Sequence, residues 1–241
     1  RSWLMRAHCQ TSGVSLTAQQ PINNVARTAI QALAAVFGGT QSLHTNSLDE
    51  AFAIPSEAAI KIAVRTQQII LHESGAADVV DPLGGSYYVE SLTSRIEQEA
   101  AELIARIDDM GGMVAAVESG YANQLIADSA WEQQLALERN ERTTVGVNGF
   151  VDDDRSTGGI EIFQNEPGVA ERQMARLADV KRSREERRVA QALRALESVA
   201  GDLHHNRMPL IEEAVRARAT VGEICDVLRS VWGEYRPSTV F

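Results

Sequence analysis

The chain has 241 residues, of which 44% are hydrophobic, and a formal net charge of −10. This size suits one or two soluble globular domains, and the acidic balance argues against a nucleic-acid-binding surface, which needs a positive face. No apolar run approaches the roughly 20 residues that cross a bilayer, and neither a signal peptide nor a Cys-x-x-Cys pattern is found. We therefore predict a cytoplasmic protein with reduced thiols and no membrane contact.

The first predicted elements are a strand and a helix. Residues 3–10 alternate apolar and polar side chains, which predicts a strand with Arg6, His8 and Gln10 on one face. After a loop rich in Ser and Thr, apolar residues recur every three or four positions from 22 to 37 and predict a crossover helix. Its predicted inner positions are Val25, Ala29, Ala32, Leu33 and Val36.

The stretch from Gly38 to Pro55 carries the strongest functional signal. Its two glycines end the helix, and a short strand follows that carries hydrogen-bonding rather than aliphatic side chains. In α/β barrels, polar side chains at the carboxyl ends of parallel strands build the active site. We predict such a strand end with Gln41, His44, Thr45 and Asn46. Ser47 and Glu50 then predict a capping box that opens a short helix over 47–53.

The next elements continue the alternation of strands and helices. Ser56 is a good N-cap for a helix that we predict to extend to about His72. Its predicted inner positions are Ile60, Ala63, Val64, Gln67 and Ile70. Residues 81–90 predict a turn and a short aromatic strand. This order of elements is typical of a parallel sheet with crossover helices.

The second half of the chain is predicted to be mainly helical. Helices are predicted over 92–110, 113–140, 167–199, 209–218 and 220–232, with a strand-like stretch at 144–151. The acidic and glycine-rich run at 152–159 is the best linker, so we place an α/β domain at 1–150 and a linker with a helical segment at 151–241. The inner positions predicted for 167–199 are Val169, Met174, Leu177, Val189, Leu193 and Leu196. The mixed charges of residues 181–188 predict a solvated, ion-paired helix face.

Four runs, read in this order, closely resemble the large subunit of the methylmalonyl-CoA mutase family of adenosylcobalamin-dependent acyl-CoA mutases. They are RAHCQTSG, SLTAQQP, NNVARTAIQALAAVFGGTQSLHTNSLDEA and DPLGGSYYVE. The resemblance, which covers about residues 6–150, implies the later part of a TIM-type (β/α)8 barrel, the substrate domain, followed by an all-helical C-terminal segment. It implies that the residues nearest the rearranging carbon lie upstream of Arg1, so the catalytic residues are unknown. Since the first residue is not methionine, we expect a fragment or a processed product.

The resemblance implies an isomerase that rearranges the carbon skeleton of an acyl-CoA thioester by radical chemistry. In the family, the cobalt–carbon bond of adenosylcobalamin breaks homolytically, and the adenosyl radical removes and later returns a substrate hydrogen. Conversion of methylmalonyl-CoA to succinyl-CoA is the first candidate. Isobutyryl-CoA and 2-hydroxyisobutyryl-CoA are alternative substrates.

The resemblance also implies the residues that bind the substrate. They are Arg6, His8, Gln10 and Gln41. His8 and Gln10 would reach polar atoms of the thioester or pantetheine, and Arg6 would reach an anionic or amide group of the coenzyme. A histidine taken alone is more often structural than functional. Strand-end placement favours a binding role for His8, and the structural role is kept for His44.

The cofactor contacts implied by the resemblance follow the two strands. They are Gly13, Val14, Asn46, Glu50, Ala51 and Ala53. Asn46 and Glu50 would hydrogen-bond the adenosyl ribose, although Glu50 taken alone would simply cap a helix. Many family members carry Trp where this chain has Val14, so the face above the corrin should be more open. Gly84 and Gly85 suit a turn better than a phosphate site, since no glycine-rich phosphate motif surrounds them.

A motif of the family is missing from this sequence. Family members that hold cobalamin on the same chain carry Asp-x-His-x-x-Gly, whose His coordinates cobalt from below. The nearest run, DLHHNR at 202–207, has Arg207 in place of Gly, so we interpret the similarity as accidental and predict no metal ligand here. The resemblance then implies a separate small cobalamin-binding subunit, which docks on residues 167–232, in a hetero-oligomer or dimer.

Two alternatives of other classes stay open. A non-catalytic mutase paralogue that stabilises a dimer should have lost its polar strand ends, yet Gln10, Gln41, Asn46 and Glu50 are all retained. A cobalamin-free barrel enzyme such as a CoA lyase would ordinarily need metal ligands, and the sequence shows no His/Asp/Glu cluster.

Overall fold

The computed structural model describes residues 6–152 and 159–236. The chain divides into two compact units, of which the first extends to Gln164 and the second begins at Asn165. The first unit contains β1 (His8–Gln10), a single 3-10 turn (Gly13–Ser15), α1 (Asn23–Phe37), β2 (Ser42–His44), α2 (Glu57–Glu73), α3 (Tyr87–Asp109), α4 (Met113–Glu118) and α5 (Tyr121–Glu138). The second unit contains α6 (Val169–Ser183), α7 (Glu186–Ala200), α8 (Met208–Arg216) and α9 (Val221–Trp232).

The first unit begins with a parallel strand pair joined by a crossover helix. His8 lies opposite Ser42 and Gln10 lies opposite His44 in this pair. Helix α1 connects the strands, so the predicted α/β organisation is confirmed. Within the described residues the sheet contains two strands, which is an α/β unit and not a closed barrel.

Helices α1 and α2 pack together against one face of this sheet. Leu43 contacts the small core formed by Ala32, Ile70 and Ala76. Two polar contacts fix α2 to the end of β2. The Thr45 hydroxyl donates to the Ala63 carbonyl at 2.8 Å, and Gln67 Nε2 donates to the Leu43 carbonyl at 3.2 Å. The opposite sheet face, with His8, Gln10 and His44, is left exposed.

Three predictions of local structure are wrong. Residues 47–53 form successive turns and no helix. The Asp49 carboxylate accepts a hydrogen bond from the Ser56 backbone N–H at 2.8 Å, and the next helix, α2, begins only after Ser56. Residues 87–90 begin α3 and form no strand, since the Ser86 side chain caps that helix. Residues 144–151 contain one isolated bridge, between Val145 and Gly149, in a tight turn.

The second unit is a small helical cluster. Helices α7, α8 and α9 enclose a core of Val189, Ala192, Leu196, Ala214, Ala217 and Ile224. The inner positions predicted at Val189, Leu193 and Leu196 are confirmed. Those predicted at Val169, Met174 and Leu177 are wrong, since these side chains are exposed, and α6 has no buried residue among those described.

The charged run at 181–188 is ion-paired, as predicted, but it does not lie on one helix, since α6 ends at Ser183 and α7 begins at Glu186. One of its arginines is also buried. The Arg184 side chain is 4% exposed, and its guanidinium donates two hydrogen bonds to the Glu223 carboxylate, at 2.6 and 2.7 Å. Glu223 also accepts from the backbone N–H of Thr220 at 2.8 Å and completes a capping box at the start of α9. The Arg184 hydrogen bonds lower the pKa of Glu223 from 4.5 to about 2.

This ion pair predicts how stability depends on pH. Since the folded pKa of Glu223 lies below its ordinary value, its contribution is complete above pH 4.5 and is lost as the pH falls towards 2. We expect Glu223→Gln to lower the free energy of unfolding by about 2 kcal/mol at pH 7. Urea unfolding should show this difference shrinking between pH 4.5 and 2. A difference independent of pH would contradict the assignment.

None of the helices formed by residues 6–152 and 159–236 is long and apolar enough to cross a membrane. Cys9 and Cys225 are free and exposed.

Candidate functional site

The loops that follow β1 and β2 are hydrogen-bonded to each other. Gln10 Nε2 donates to Asn46 Oδ1 at 3.0 Å. Next to it, the Thr11 backbone N–H donates to the His44 carbonyl at 3.1 Å, and the Thr11 hydroxyl accepts from the Asn46 backbone N–H at 2.9 Å. Since both loops leave the same end of a parallel pair, their polar side chains meet as the sequence predicts.

Gly13 and Glu50 complete this corner, which we call the strand-end site (Gln10, Gly13, Asn46 and Glu50). A Cβ atom on Gly13 would lie 2.9 Å from Glu50 Oε1 and 3.2 Å from Asn46 Nδ2. The side chain of Glu50 is exposed, whereas Asn46 is 2% exposed. Asn46 Nδ2 has no hydrogen-bond partner among the described residues, and an unpaired buried donor costs about 1 to 3 kcal/mol. The site therefore pairs an accessible acceptor with an unsatisfied donor, which is what a ligand with hydroxyl groups requires.

Arg6, His8 and Gln41 meet at the other end of the strand pair. Together with Ala7 and Ser42 they line an open depression of about 570 Å³. His8 Nδ1 and the Ser42 hydroxyl are hydrogen-bonded at 2.8 Å, and Gln41 Oε1 accepts from the Ala7 backbone N–H at 3.2 Å. We call this the strand-start depression.

The placement of Gln41 corrects one expectation. Gln41 precedes β2, whose residues run from Ser42 to His44, so it is not at the strand end with Asn46. The two lie five positions apart along the chain, and a strand rises about 3.3 Å per residue. Gln10 therefore belongs with Asn46, and Gln41 belongs with Arg6 and His8.

Three further residues of the predicted cofactor surface, Val14, Ala51 and Ala53, lie within three positions of Gly13 or Glu50 along the chain. Val14 is 97% exposed on the 3-10 turn, so this surface is open, and Ala51 is exposed as well. Ala53 lines a cavity of about 470 Å³ with Glu50 and His44. His44 is exposed rather than buried, which does not fit the structural role favoured for it.

Sequence inspection missed three residues that bond to these sites or to the loops that carry them. They are Thr11, Asn24 and Ser42. The parallel register alone would have placed Ser42 beside His8, because both point to the same face of the sheet. Asn24 is completely buried on α1, and a polar residue on the buried face of an amphipathic helix is a signal that could have been noticed.

The run at 202–207 has a structural role. Arg207 donates two hydrogen bonds to the Ala200 carbonyl at the end of α7, at 3.0 and 3.1 Å. Trp232 Nε1 donates to the same carbonyl at 2.8 Å, and the guanidinium lies over the indole ring at 5.5 Å. Among residues 6–152 and 159–236, no group of three or more His, Cys, Asp or Glu side chains could hold a metal ion.

Comparisons with known proteins give a consistent result. The 2-hydroxyisobutanoyl-CoA mutase large subunit of Aquincola tertiaricarbonis is 47% identical over 240 residues, which cover 100% of this chain and 42% of that protein. The methylmalonyl-CoA mutase of Rhizobium meliloti (strain 1021) is 46% identical over 235 residues, 97% of this chain and 33% of that protein. The mitochondrial methylmalonyl-CoA mutase of Homo sapiens is 44% identical over 236 residues, 98% of this chain and 31% of that protein.

The chain thus spans between about a third and two fifths of the length of these relatives. The family model for methylmalonyl-CoA mutase matches residues 1–234, and so the chain belongs to the methylmalonyl-CoA mutase family.

Proposed function

We propose that this chain is part of the large subunit of an adenosylcobalamin-dependent acyl-CoA mutase, an isomerase that rearranges the carbon skeleton of its substrate. The observation that carries the proposal is the strand-end site, where Gln10 is bonded to Asn46 beside Gly13 and Glu50. The alternative of a non-catalytic paralogue is less favoured, since these polar side chains are present and brought together.

The strand pair is proposed to be the later part of a (β/α)8 barrel. A sheet of two strands has marginal stability by itself, and each strand has one edge with unpaired backbone groups. Further strands from the rest of the mutase would complete the sheet. Residues 1–150 would form this part of the substrate domain, and 151–241 a linker and a helical segment. The remaining catalytic residues would come from the rest of the barrel.

Adenosylcobalamin fits the strand-end site. Asn46 and Glu50 would hold the hydroxyl groups of its ribose, because the unsatisfied amide of Asn46 can donate and the carboxylate of Glu50 can accept. Because Gly13 has no side chain, Glu50 and Asn46 pack directly against its backbone. Val14, Ala51 and Ala53 would line the approach. When bound, the cofactor supplies the one-electron chemistry that starts the rearrangement.

The strand-start depression is proposed to bind the acyl-CoA. His8, fixed by its hydrogen bond to Ser42, and Gln41 would contact polar atoms of the pantetheine arm. Arg6 would contact an anionic or amide group of the coenzyme. Gln10, in the strand-end site, would orient the thioester. Amide and imidazole groups suit this task, since they hydrogen-bond a reactive substrate without attacking it.

The acyl group is proposed to be methylmalonyl, converted to succinyl. Rearrangement of 2-hydroxyisobutyryl-CoA is the second candidate, favoured by the relative that is a 2-hydroxyisobutanoyl-CoA mutase large subunit. Val14 is exposed and smaller than the tryptophan that many family members have at this position. It would therefore leave more space above the corrin for a different acyl group.

A separate small cobalamin-binding subunit is proposed as the partner. Arg207 is engaged by the Ala200 carbonyl and Trp232, so the run at 202–207 would not serve as a lower cobalt ligand. The small subunit would supply that ligand and dock on 167–232, in a hetero-oligomeric and cytoplasmic enzyme.

Reconstitution tests this proposal. The full-length large subunit is mixed with adenosylcobalamin and a candidate small subunit, and isomerisation of methylmalonyl-CoA and 2-hydroxyisobutyryl-CoA is followed by chromatography. We expect turnover only when both subunits are present. Turnover without any cobalamin-binding subunit would refute the two-subunit assignment, and absence of turnover on every acyl-CoA with both subunits would refute the mutase assignment.

A further inference from the structure

Helix α1 buries polar side chains towards the functional loops. Asn24, Thr28 and Gln31 are spaced by four and three residues, which places them on one face of the helix. Asn24 is 0% exposed and Thr28 is 2% exposed, whereas four of the five apolar inner positions predicted for this helix are only half-buried. Polar groups are buried at this depth only when they are hydrogen-bonded. The partners of these three side chains therefore define what this face of α1 does.

Asn24 connects the two loops of the strand-end site. Its Nδ2 donates to the Thr17 carbonyl, in the loop after β1, at 2.9 Å. The same atom donates to the Leu48 carbonyl, in the loop after β2, also at 2.9 Å. Its Oδ1 accepts from the Thr17 backbone N–H at 3.1 Å and from Arg27 Nη1 at 2.8 Å. Both amide protons and both lone pairs are thus used, so neither loop can shift without breaking a buried bond.

Thr28 and Gln31 hold the same loops about one and two turns further along the helix. Gln31 Oε1 accepts from the Ser12 backbone N–H at 2.6 Å, and Gln31 Nε2 donates to the Ser15 hydroxyl at 2.7 Å. These two bonds fix the 3-10 turn that contains Gly13. The Thr28 hydroxyl lies 3.5 Å from the Asn46 carbonyl, to which it donates a long hydrogen bond.

We propose that Asn24, supported by Gln31, is a positioning residue that sets the separation between Gly13 and Glu50 and thereby the recognition of the adenosyl group. This inference rests on the proposed function. Glu50 Oε1 packs so closely against Gly13 that a Cβ there would lie only 2.9 Å away, so a shift of either loop by a few tenths of an ångström changes how Glu50 is placed to meet a ligand. Binding groups held in place before the ligand arrives bind more tightly, because less ordering is needed on binding.

The test compares two cobalamins that differ in the upper ligand. Dissociation constants of adenosylcobalamin and hydroxocobalamin are measured by absorbance for the complete mutase containing this chain, as wild type and as Asn24→Ala. We expect the preference for adenosylcobalamin to fall about tenfold in the variant, while the affinity for hydroxocobalamin changes by less than about twofold. A merely structural role would weaken both cobalamins equally.

Two further variants make the test decisive. Asn148→Ala is the matched control, since Asn148 also donates to two carbonyls and accepts from one backbone N–H, all between residues 137 and 148. It should leave the preference unchanged. Gln31 is half-buried, and Gln31→Leu removes its two hydrogen bonds to the 3-10 turn. This variant tests the positioning role if Asn24→Ala does not fold. We expect it to lower the preference as well.

The outcomes separate this inference from the function on which it rests. A full preference for adenosylcobalamin in both Asn24→Ala and Gln31→Leu, or an equal loss of both cobalamins, would overturn the positioning role alone. No preference in the wild-type enzyme would overturn the assignment of the adenosyl site itself.

Discussion

Replacement of Glu50 by alanine in the complete mutase is expected to lower turnover by about 10- to 100-fold. Glu50 is exposed and does not lie at the start of a helix. Its removal therefore leaves the helix caps and the core contacts of the fold unchanged. A hydrogen bond to a charged group contributes about 1.5 to 3 kcal/mol, which corresponds to the expected range of rates if the bond is needed in the transition state. Steady-state kinetics at saturating acyl-CoA, together with the affinity for adenosylcobalamin, would measure the effect.

The control for Glu50 is another exposed glutamate close by in the sequence. Glu57 lies in the first turn of α2 and is exposed. Glu57→Ala should leave turnover within about twofold and cost at most a few tenths of a kcal/mol in stability. Kinetics that are unchanged in Glu50→Ala, or equally changed in Glu57→Ala, would remove Glu50 from the cofactor site.

Gly13→Val is expected to have the larger effect of the two, a loss of turnover of at least about 100-fold. The first carbon of the new side chain would lie 2.9 Å from Glu50 Oε1 and 3.2 Å from Asn46 Nδ2, and the two methyl groups beyond it need still more room. The exposed Glu50 side chain can change its rotamer, but the buried Asn46 side chain cannot. The valine therefore displaces Glu50 or fills the site. Loss of adenosylcobalamin binding with a melting temperature near that of the wild type would be the expected pattern.

Gly38→Val is the matched control for this substitution. A Cβ on Gly38 would meet ordinary contacts of 3.5 and 3.6 Å with backbone carbonyls of α1. The same side chain is thus added in the same unit, away from the strand-end site. If Gly13→Val binds the cofactor and turns over as Gly38→Val does, the close packing of Glu50 and Asn46 against Gly13 is not needed for cofactor binding.

Much of the first unit could be predicted from local patterns. The apolar spacing located α1 within one residue at its start, and Ser56 was correctly identified as the cap of α2. These features depend on neighbours three or four residues away, which the sequence displays directly. The meeting of Gln10 with Asn46 could also be predicted, because parallel strands deliver their carboxyl ends to the same edge.

The errors occurred where distant residues decide the structure. Tyr87 and Tyr88 favour strands by propensity. They nevertheless begin a helix, because Ser86 caps it and it continues to Asp109. Gln41 was placed at the wrong end of β2, since a strand of three residues does not define its own limits in a polar sequence. The polar face of α1 was overlooked because the partners of Asn24 lie in two separate loops, and one of them is 24 residues away.

We propose that the loops after β1 and β2 together hold the adenosyl group of the cofactor. Hydrogen exchange of the complete two-subunit mutase, measured by mass spectrometry with and without adenosylcobalamin, tests it most directly. The claim predicts slower amide exchange on cofactor binding in two segments, residues 11–16 and residues 44–53. Unchanged exchange in both segments, with protection confined to other parts of the enzyme, would contradict it.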